Sequence, residues 1–355
     1  MTEKERAILW LAACTRTNGE ERKQLLEAAG SPELLFDEFE KFSKKVLKQG
    51  KNGLYISDKA SREREVNALL DRLDRKGRFA VTCESRDYPA LLTQLSDPPP
   101  VLYGEGNREL LNRRKFCIVG SRLTPPWAEK TGKMIAEEIS RHFVVVTGLA
   151  EGGDSAAVHG AIGSGNLICV LPNGLDECYP ASQLSLKRAV REKGLLLSEF
   201  PFGEKVHKGS FHLRNRILAG LSEGVLVISA GVHSGTLITV SHALDCGREI
   251  FAFPYSIGVK QGEGCNAMLK SGANFVTEAE DILSMYGFCA DKKREISLSD
   301  EETRILDVLS KSGELHAAVI AERAGVPVYE AASTLSALEV KGLIAKAGGN
   351  RYSAL

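Results

Sequence analysis

Between Lys115 and Tyr286 the chain repeats one pattern: a short apolar run rich in β-branched residues, then a stretch with helical spacing. The runs KFCIVG, FVVVTG, NLICVLP, GLLLSEF, GVLVISA, EIFAFP and NFVT are short, and most are apolar throughout instead of alternating. Such runs predict strands buried on both faces. The intervening PPWAEKTGKMIAEEIS, GDSAAVHGAIG, SQLSLKRAVREK, RNRILAGLS, GTLITVSHALDCG and NAMLKSG predict helices. Buried strands alternating with helices specify a doubly wound α/β fold, an extended Rossmann-like and mostly parallel sheet. Ligands on such sheets bind where loops leave the carboxyl ends of the strands.

The flanks follow other rules. Residues 1–80 predict a small helical domain, with ERAILWLAAC as one amphipathic stretch, Gly30 as a stop and Ser31-Pro32 as a restart. This region holds 17 Lys and Arg against 14 Asp and Glu, an excess that an ordinary solvated helix surface also shows. Residues 81–114 predict a linker and the start of the core, because Pro98–Pro100 fit neither a helix interior nor a central strand. The α/β domain then occupies 115–287, and a polar linker 288–297. Residues 298–355 read as helix, helix, turn, helix and two short strands around Gly348-Gly349, the order of a winged helix. That segment carries eight acidic and six basic residues, and PVYEAASTLSALEVKG has one Lys and two Glu. A phosphate-gripping surface is basic, so a protein contact or a regulatory role is the favoured reading there.

Charge narrows the partners further. Forty-six Lys and Arg balance forty-six Asp and Glu, so any polyanion site is a local patch. The eight cysteines form no C-x-x-C pair and have no histidine at zinc-ligand spacing. Several sit in strand runs, which favours a reducing compartment. The opening MTEKERAILWLAAC is apolar too briefly for a signal peptide or membrane span. A cytoplasmic protein with no membrane contact, no cofactor and no metal is expected.

Four strand-end loops carry candidate chemistry. IVGSRLT lacks G-x-G-x-x-G, and the second strand ends at Thr147-Gly148 without an acid for a ribose, which argues against NAD. What remains is Gly120, Ser121 and nearby backbone N–H groups as an anion site, with Arg122 as a planar cation. TGLAEGGDSAAVHGAI offers close backbone approach at its glycines, a helix cap at Asp154 or Ser155, and His159, read as a packed structural histidine. LPNGLDECYP and SEF place Asp176 and Glu199 at strand ends, as an acid/base pair or as structural carboxylates. HSGTLITVSHAL keeps Gly235-Thr236 of a phosphate-cradling loop, but Thr239 stands where nucleotide hydrolases of this layout carry a working Glu. KVHKGSFHLRNRILAGL, finally, crowds cations around Phe211, as a phosphate-rich ligand with flat bases or a solvated loop before a helix would require.

Taken in order, YPALLTQLSDPPPVLYGEG, IVGSR, VVTGLAEGGDSAAVHGAI, NGLDECYP, GLLLSEFPFG, FHLRNRILAGLS, SGTLITVSHALDCGREIFAFP and GCNAMLKSGA resemble the bacterial DNA-processing protein A family (DprA, also called Smf) across residues 85–285. The resemblance implies a non-catalytic single-stranded DNA-binding protein that protects incoming strands in natural transformation and loads the RecA recombinase. It also implies a homodimer formed through the α/β domain. The family's pocket residues match Arg122, Lys208 and Phe211, with cations tracking phosphates and Phe211 stacking a base. The matched motifs extend the implied contacts to Gly120, Ser121, Thr124, Asn215, Ser234 and Gly235. Arg214 and Arg216 either extend the groove or support the start of their helix. The chain departs from the family pattern at Glu151, Gly153, His212, Ser229 and Tyr255. Two other readings stay open: a nucleotide-processing hydrolase with Glu199 or Asp176 as base, and a transcriptional regulator acting through the winged helix.

Overall fold

The computed structural model of the protein describes residues 1–15, 17, 19–47, 58–74, 77–207, 209–288 and 298–354. Helices open the chain: α1 (Glu3–Cys14), α2 (Gly19–Ala29), α3 (Pro32–Asp37), α4 (Phe39–Val46) and α5 (Lys59–Asp74). Their starts obey local rules. Thr2 and Glu5 form a capping box on α1, and Ser31 caps α3 with Pro32 in its first turn. The apolar stripes close over Trp10, Leu25, Leu35 and Phe39.

The next stretch holds the start of the core, with strands where part of it was expected to be a linker. Residues 81–114 contain the end of β1 (Arg78–Thr82) and all of β2 (Val101–Gly106), which pair antiparallel with Arg78 opposite Glu105. Pro98–Pro100 sit in the loop before β2, where a missing N–H removes no ladder bond. The Tyr88 hydroxyl donates to the Pro99 carbonyl at 2.7 Å and pins that loop.

Each predicted α/β element then appears: β3 (Lys115–Val119), α6 (Pro126–Ile139), β4 (Val144–Thr147), α7 (Gly153–Ala161), β5 (Leu167–Val170), α8 (Leu184–Lys193), β6 (Leu195–Ser198), α9 (Ser210–Leu221), β7 (Gly224–Val227), α10 (Thr236–Asp245), β8 (Glu249–Ala252), α11 (Glu263–Lys270), β9 (Asn274–Phe275) and a short α12 (Glu280–Leu283). The sheet order is β1-β2-β6-β5-β4-β3-β7-β8-β9, parallel from β6 to β9 with β1 and β2 antiparallel at one edge. The chain thus walks outward from β3 to β6, returns through α9 to β7, and walks the other way to β9. Right-handed crossovers place the helices of the two walks on opposite faces. The order reverses between β3 and β7, so their carboxyl ends open the crevice in which such folds hold ligands.

The N-terminal helices are fastened to this sheet in one compact unit, Met1–Phe288. Asp176 accepts from Arg78 at 2.6 Å and from Arg72 at 3.1 Å, and both guanidiniums lie within 5.2 Å of the Phe202 ring centre.

The second unit, Cys289–Leu355, contains α13 (Asp300–Ser312), β10 (Leu315–His316), α14 (Ala317–Ala324), α15 (Val328–Val340), β11 (Ile344–Ala347) and β12 (Arg351–Ala354). Ser299 and Glu302 form a capping box on α13, and Lys341 pairs with Glu302 at 2.7 Å. The predicted two strands flank a turn in which Gly349 and Asn350 take positive φ, and β10 adds a third strand. Ile305, Ile320, Leu335, Leu338 and Tyr352 give this unit its own core. Residues 289–297 of the expected linker lie outside the described residues.

Candidate nucleic-acid interface

Phe211, Arg214, Asn215 and Leu218 recur at i, i+3, i+4 and i+7 on α9, which puts them on one helix face. That face closes one side of a cleft of about 290 Å³ at the β3/β7 switch point. The end of β3 (Val119 to Arg122), the start of α7 (Ala150, Asp154) and the start of α10 (Ser234 to Thr236, then Ile238 and Thr239) complete its lining. Eight of the residues expected to contact DNA meet here: Gly120, Ser121, Arg122, Phe211, Arg214, Asn215, Ser234 and Gly235.

Glycines set the floor. A Cβ on Gly153 would collide with Gly120 Cα, and one on Gly152 with the Ser121 carbonyl oxygen. Gly152 also holds a φ of 75°, which a side chain disfavours. The departure at Gly153 is therefore structural: two backbones touch where an apolar side chain has no room. Glu151, the other departure in this loop, is exposed and accepts from the Ser182 hydroxyl at 2.6 Å.

An aromatic and cationic mouth stands over the floor. The Arg122 guanidinium lies 5.3 Å from the Phe211 ring centre and 6.0 Å from that of Tyr179. Tyr179 meets Phe211 edge-on at 5.6 Å. Arg122 is exposed and makes no ion pair among the described residues, so its charge is available to a ligand. Tyr179 lies within the LPNGLDECYP loop. Its signal was an aromatic at a strand end, but spacing along the chain could not place it beside Phe211.

Several assignments change. Arg214 lines the cleft yet is buried, and it donates to the Gly148 carbonyl at 2.7 Å and the Val170 carbonyl at 2.9 Å. It ties the ends of β4 and β5 to α9. Burial lowers its pKa, opposed by the nearby Asp154 carboxylate, while burial raises the pKa of Asp154 against the Arg214 charge. Arg216 is absent from the cleft: it pairs with Glu199 and lies 3.8 Å from Asp97. Residues two apart on a helix point to different sides, so Arg214 and Arg216 could not both extend one groove.

The anion loop also differs from expectation. The Ser121 N–H donates to the Ser229 carbonyl at 2.9 Å and lies 3.0 Å from the Ser229 hydroxyl, which leaves it unavailable to phosphate. Thr124 is buried beneath the loop, donating to the Ser121 carbonyl at 2.7 Å and meeting the Ser229 hydroxyl at 2.6 Å. Pro125 and Pro126 open α6, so its first turn lacks two N–H donors. Arg122 and the start of α10 are what the cleft lining still offers an anion. Lys208 lies outside the described residues.

The two carboxylates of the acid/base alternative do not line the cleft. Asp176 is held by Arg72 and Arg78, and Glu199 by Arg216. Thr239 is buried in the cleft lining with no carboxylate to offer. His159 is exposed near the end of α7, where it was expected to be packed. Among the described residues no cluster of His, Cys, Asp or Glu could hold a metal ion, and no helix is long and apolar enough to cross a membrane.

Residues 79–287 match the family model described as DNA recombination-mediator protein A. The chain belongs to that family. Residues 290–350 match a second model, the DprA winged helix domain. Protein Smf of Escherichia coli K12 is 34% identical over 299 residues, covering 81% of this chain and 80% of that protein. DNA processing protein DprA of Streptococcus pneumoniae R6 is 38% identical over 202 residues, covering 57% of this chain and 72% of that one. Among solved structures, the X-ray structure of DprA from Streptococcus pneumoniae superposes with a TM-score of 0.66 at 30% identity, covering 81% of this chain and 99% of that chain. DNA processing protein A from Helicobacter pylori, whose structure is described for its single-stranded DNA binding mode, gives a TM-score of 0.54 at 27% identity, covering 58% of this chain and 95% of that chain. The family match spans the sheet and the cleft together, which ties its DNA recombination role to the domain that holds this site.

Proposed function

We propose that the switch-point cleft binds single-stranded DNA without turning it over, and that the protein hands the bound strand to a RecA-type recombinase as a homodimer. The observation that carries the reading is the Arg122–Phe211–Tyr179 mouth: a free guanidinium over two rings at the carboxyl edge of the sheet. Arg122 grips phosphate, and the rings stack bases for ~1–3 kcal/mol each. Neither contact reads a base edge, so binding is tolerant of sequence. The commitment of Asp176, Glu199 and Thr239 to structure favours binding over hydrolysis. Leu244 on α10 and Phe275 on edge strand β9, 61% and 57% exposed, are apolar surface that a second copy would cover.

Fluorescence anisotropy of labelled oligonucleotides across a salt series tests the reading. Each phosphate contact contributes roughly −0.7 to the slope of log K against log salt for single strands. An Arg122→Ala/Lys208→Ala protein is expected to bind more weakly and with a shallower slope, alike on differing sequences. Wild-type binding that is absent, or indifferent to the double substitution, would reject the cleft and send attention to nucleotide turnover. Sedimentation with and without recombinase tests the assembly.

A further inference from the structure

Trp127 opens α6, five residues beyond Arg122, and is 49% exposed. One side of the ring is thus open to solvent at the carboxyl edge of the sheet, where ligands of such folds bind. Its inner side rests on a rigid base: the Tyr255 ring centre is 4.9 Å away, and the Phe253 ring lies nearly parallel, 23° off, at 6.3 Å. Phe253 is buried. Tyr255 is fixed on every side, with its hydroxyl donating to the Ile228 carbonyl at 2.8 Å. Its N–H donates to the Asn266 side chain at 3.0 Å, and its ring fills the space that a Cβ on Gly262 would need.

The loop between the two aromatic groups joins them. Residues 120–126 rest on the end of β7, where the Ser229 hydroxyl meets Ser121 and Thr124. Arg122 leans from that loop onto Phe211, and Pro125-Pro126 stiffen its far end into Trp127. Five residues of chain span at most about 18 Å, a distance a few nucleotides of single strand can bridge. Exposed Lys130 stands one turn after Trp127 on α6 and makes no ion pair among the described residues.

Resting on the DNA-binding reading above, we infer that Trp127, backed by Tyr255 and Phe253, is a second base-stacking platform that extends the strand's path across the switch point. The occupant is a nucleobase of a single strand already anchored at Arg122 and Phe211. Continuity with the cleft and the pinned aromatic base argue for it.

The chain reports on itself, because it contains two tryptophans and the other, Trp10, is fully buried among the N-terminal helices. Titrating the full-length protein with an oligothymidine of roughly ten residues, read by anisotropy and intrinsic fluorescence together, is expected to quench the Trp127 emission in step with binding. Trp127→Ala should abolish the quench and weaken binding about 5- to 140-fold, the range one stacked base contributes. Trp127→Phe should keep most of the affinity. Binding with unchanged fluorescence, or equal affinity in Trp127→Ala, overturns this inference and leaves the central cleft standing. A Trp127→Ala protein whose sedimentation changes while its DNA affinity does not would assign the ring to a second copy, and overturns it too. Failure of the wild type to bind at all removes the DNA reading and this inference with it.

Discussion

Lys115 sits buried at the start of β3, its ammonium donating to the Leu111 and Arg113 carbonyls at 2.7 Å each. Burial pulls its pKa from 10.5 down to about 8. Between those values the unfolded chain holds a proton that the folded chain has released, so the stability from this group rises with pH across that window. The difference between wild type and Lys115→Met in urea melts is expected to climb by about 2–3 kcal/mol from pH 8 to 10.5 and to stay flat below pH 7. A flat difference throughout would mean the amine is not shifted. Arg216 makes a second residue-scale prediction. Arg216→Ala strands Glu199, whose carboxyl burial already raises, and should cost about 3–5 kcal/mol. Its residual DNA affinity, measured on protein confirmed to be folded, should match wild type, because Arg216 lies outside the cleft. Residue types alone could not make this division. Arg122, Arg214 and Arg216 look equally cationic in the sequence, and only burial separates the free guanidinium from the two that hold the fold.

Elements were read more reliably than side-chain roles. Every apolar run from KFCIVG to NFVT became a strand, because runs buried on both faces leave little choice. The antiparallel edge, β1 and β2, is not legible there: the prolines that suggest a linker stand in the loop before β2, and its single partner beyond β1 lies about ninety residues on, at β6. The helical spacing of Phe211, Arg214, Asn215 and Leu218 was present in the sequence, but the opposite wall of the cleft was not. That wall depends on Gly120 and Gly153 touching. Gly153→Val should wedge the β3–α6 loop from α7, cost about 1–3 kcal/mol of stability and weaken oligonucleotide binding together with it. A variant that kept both melting temperature and affinity would show that the loops can part without consequence.

At the scale of the whole molecule, the two units have separate cores, one running through the sheet and one centred on Ile305, Leu335 and Tyr352. The residues assigned to DNA all belong to Met1–Phe288. Removing residues 298–355 is therefore expected to change oligonucleotide affinity by less than about twofold. A loss of tenfold or more, about 1.4 kcal/mol, would place a DNA contact on the winged helix despite its acidic balance. The sequence by itself determined the fold class and the order of elements from β3 to β9, since these follow from hydrophobic period and from the handedness of crossovers. Tertiary structure alone decided which cation faces solvent, that Tyr179 joins Phe211, and that Trp127 rests on Tyr255. Period is written in neighbouring residues, whereas burial and ring contact arise between residues far apart in the chain, and are settled only when the sheet brings its strand ends together.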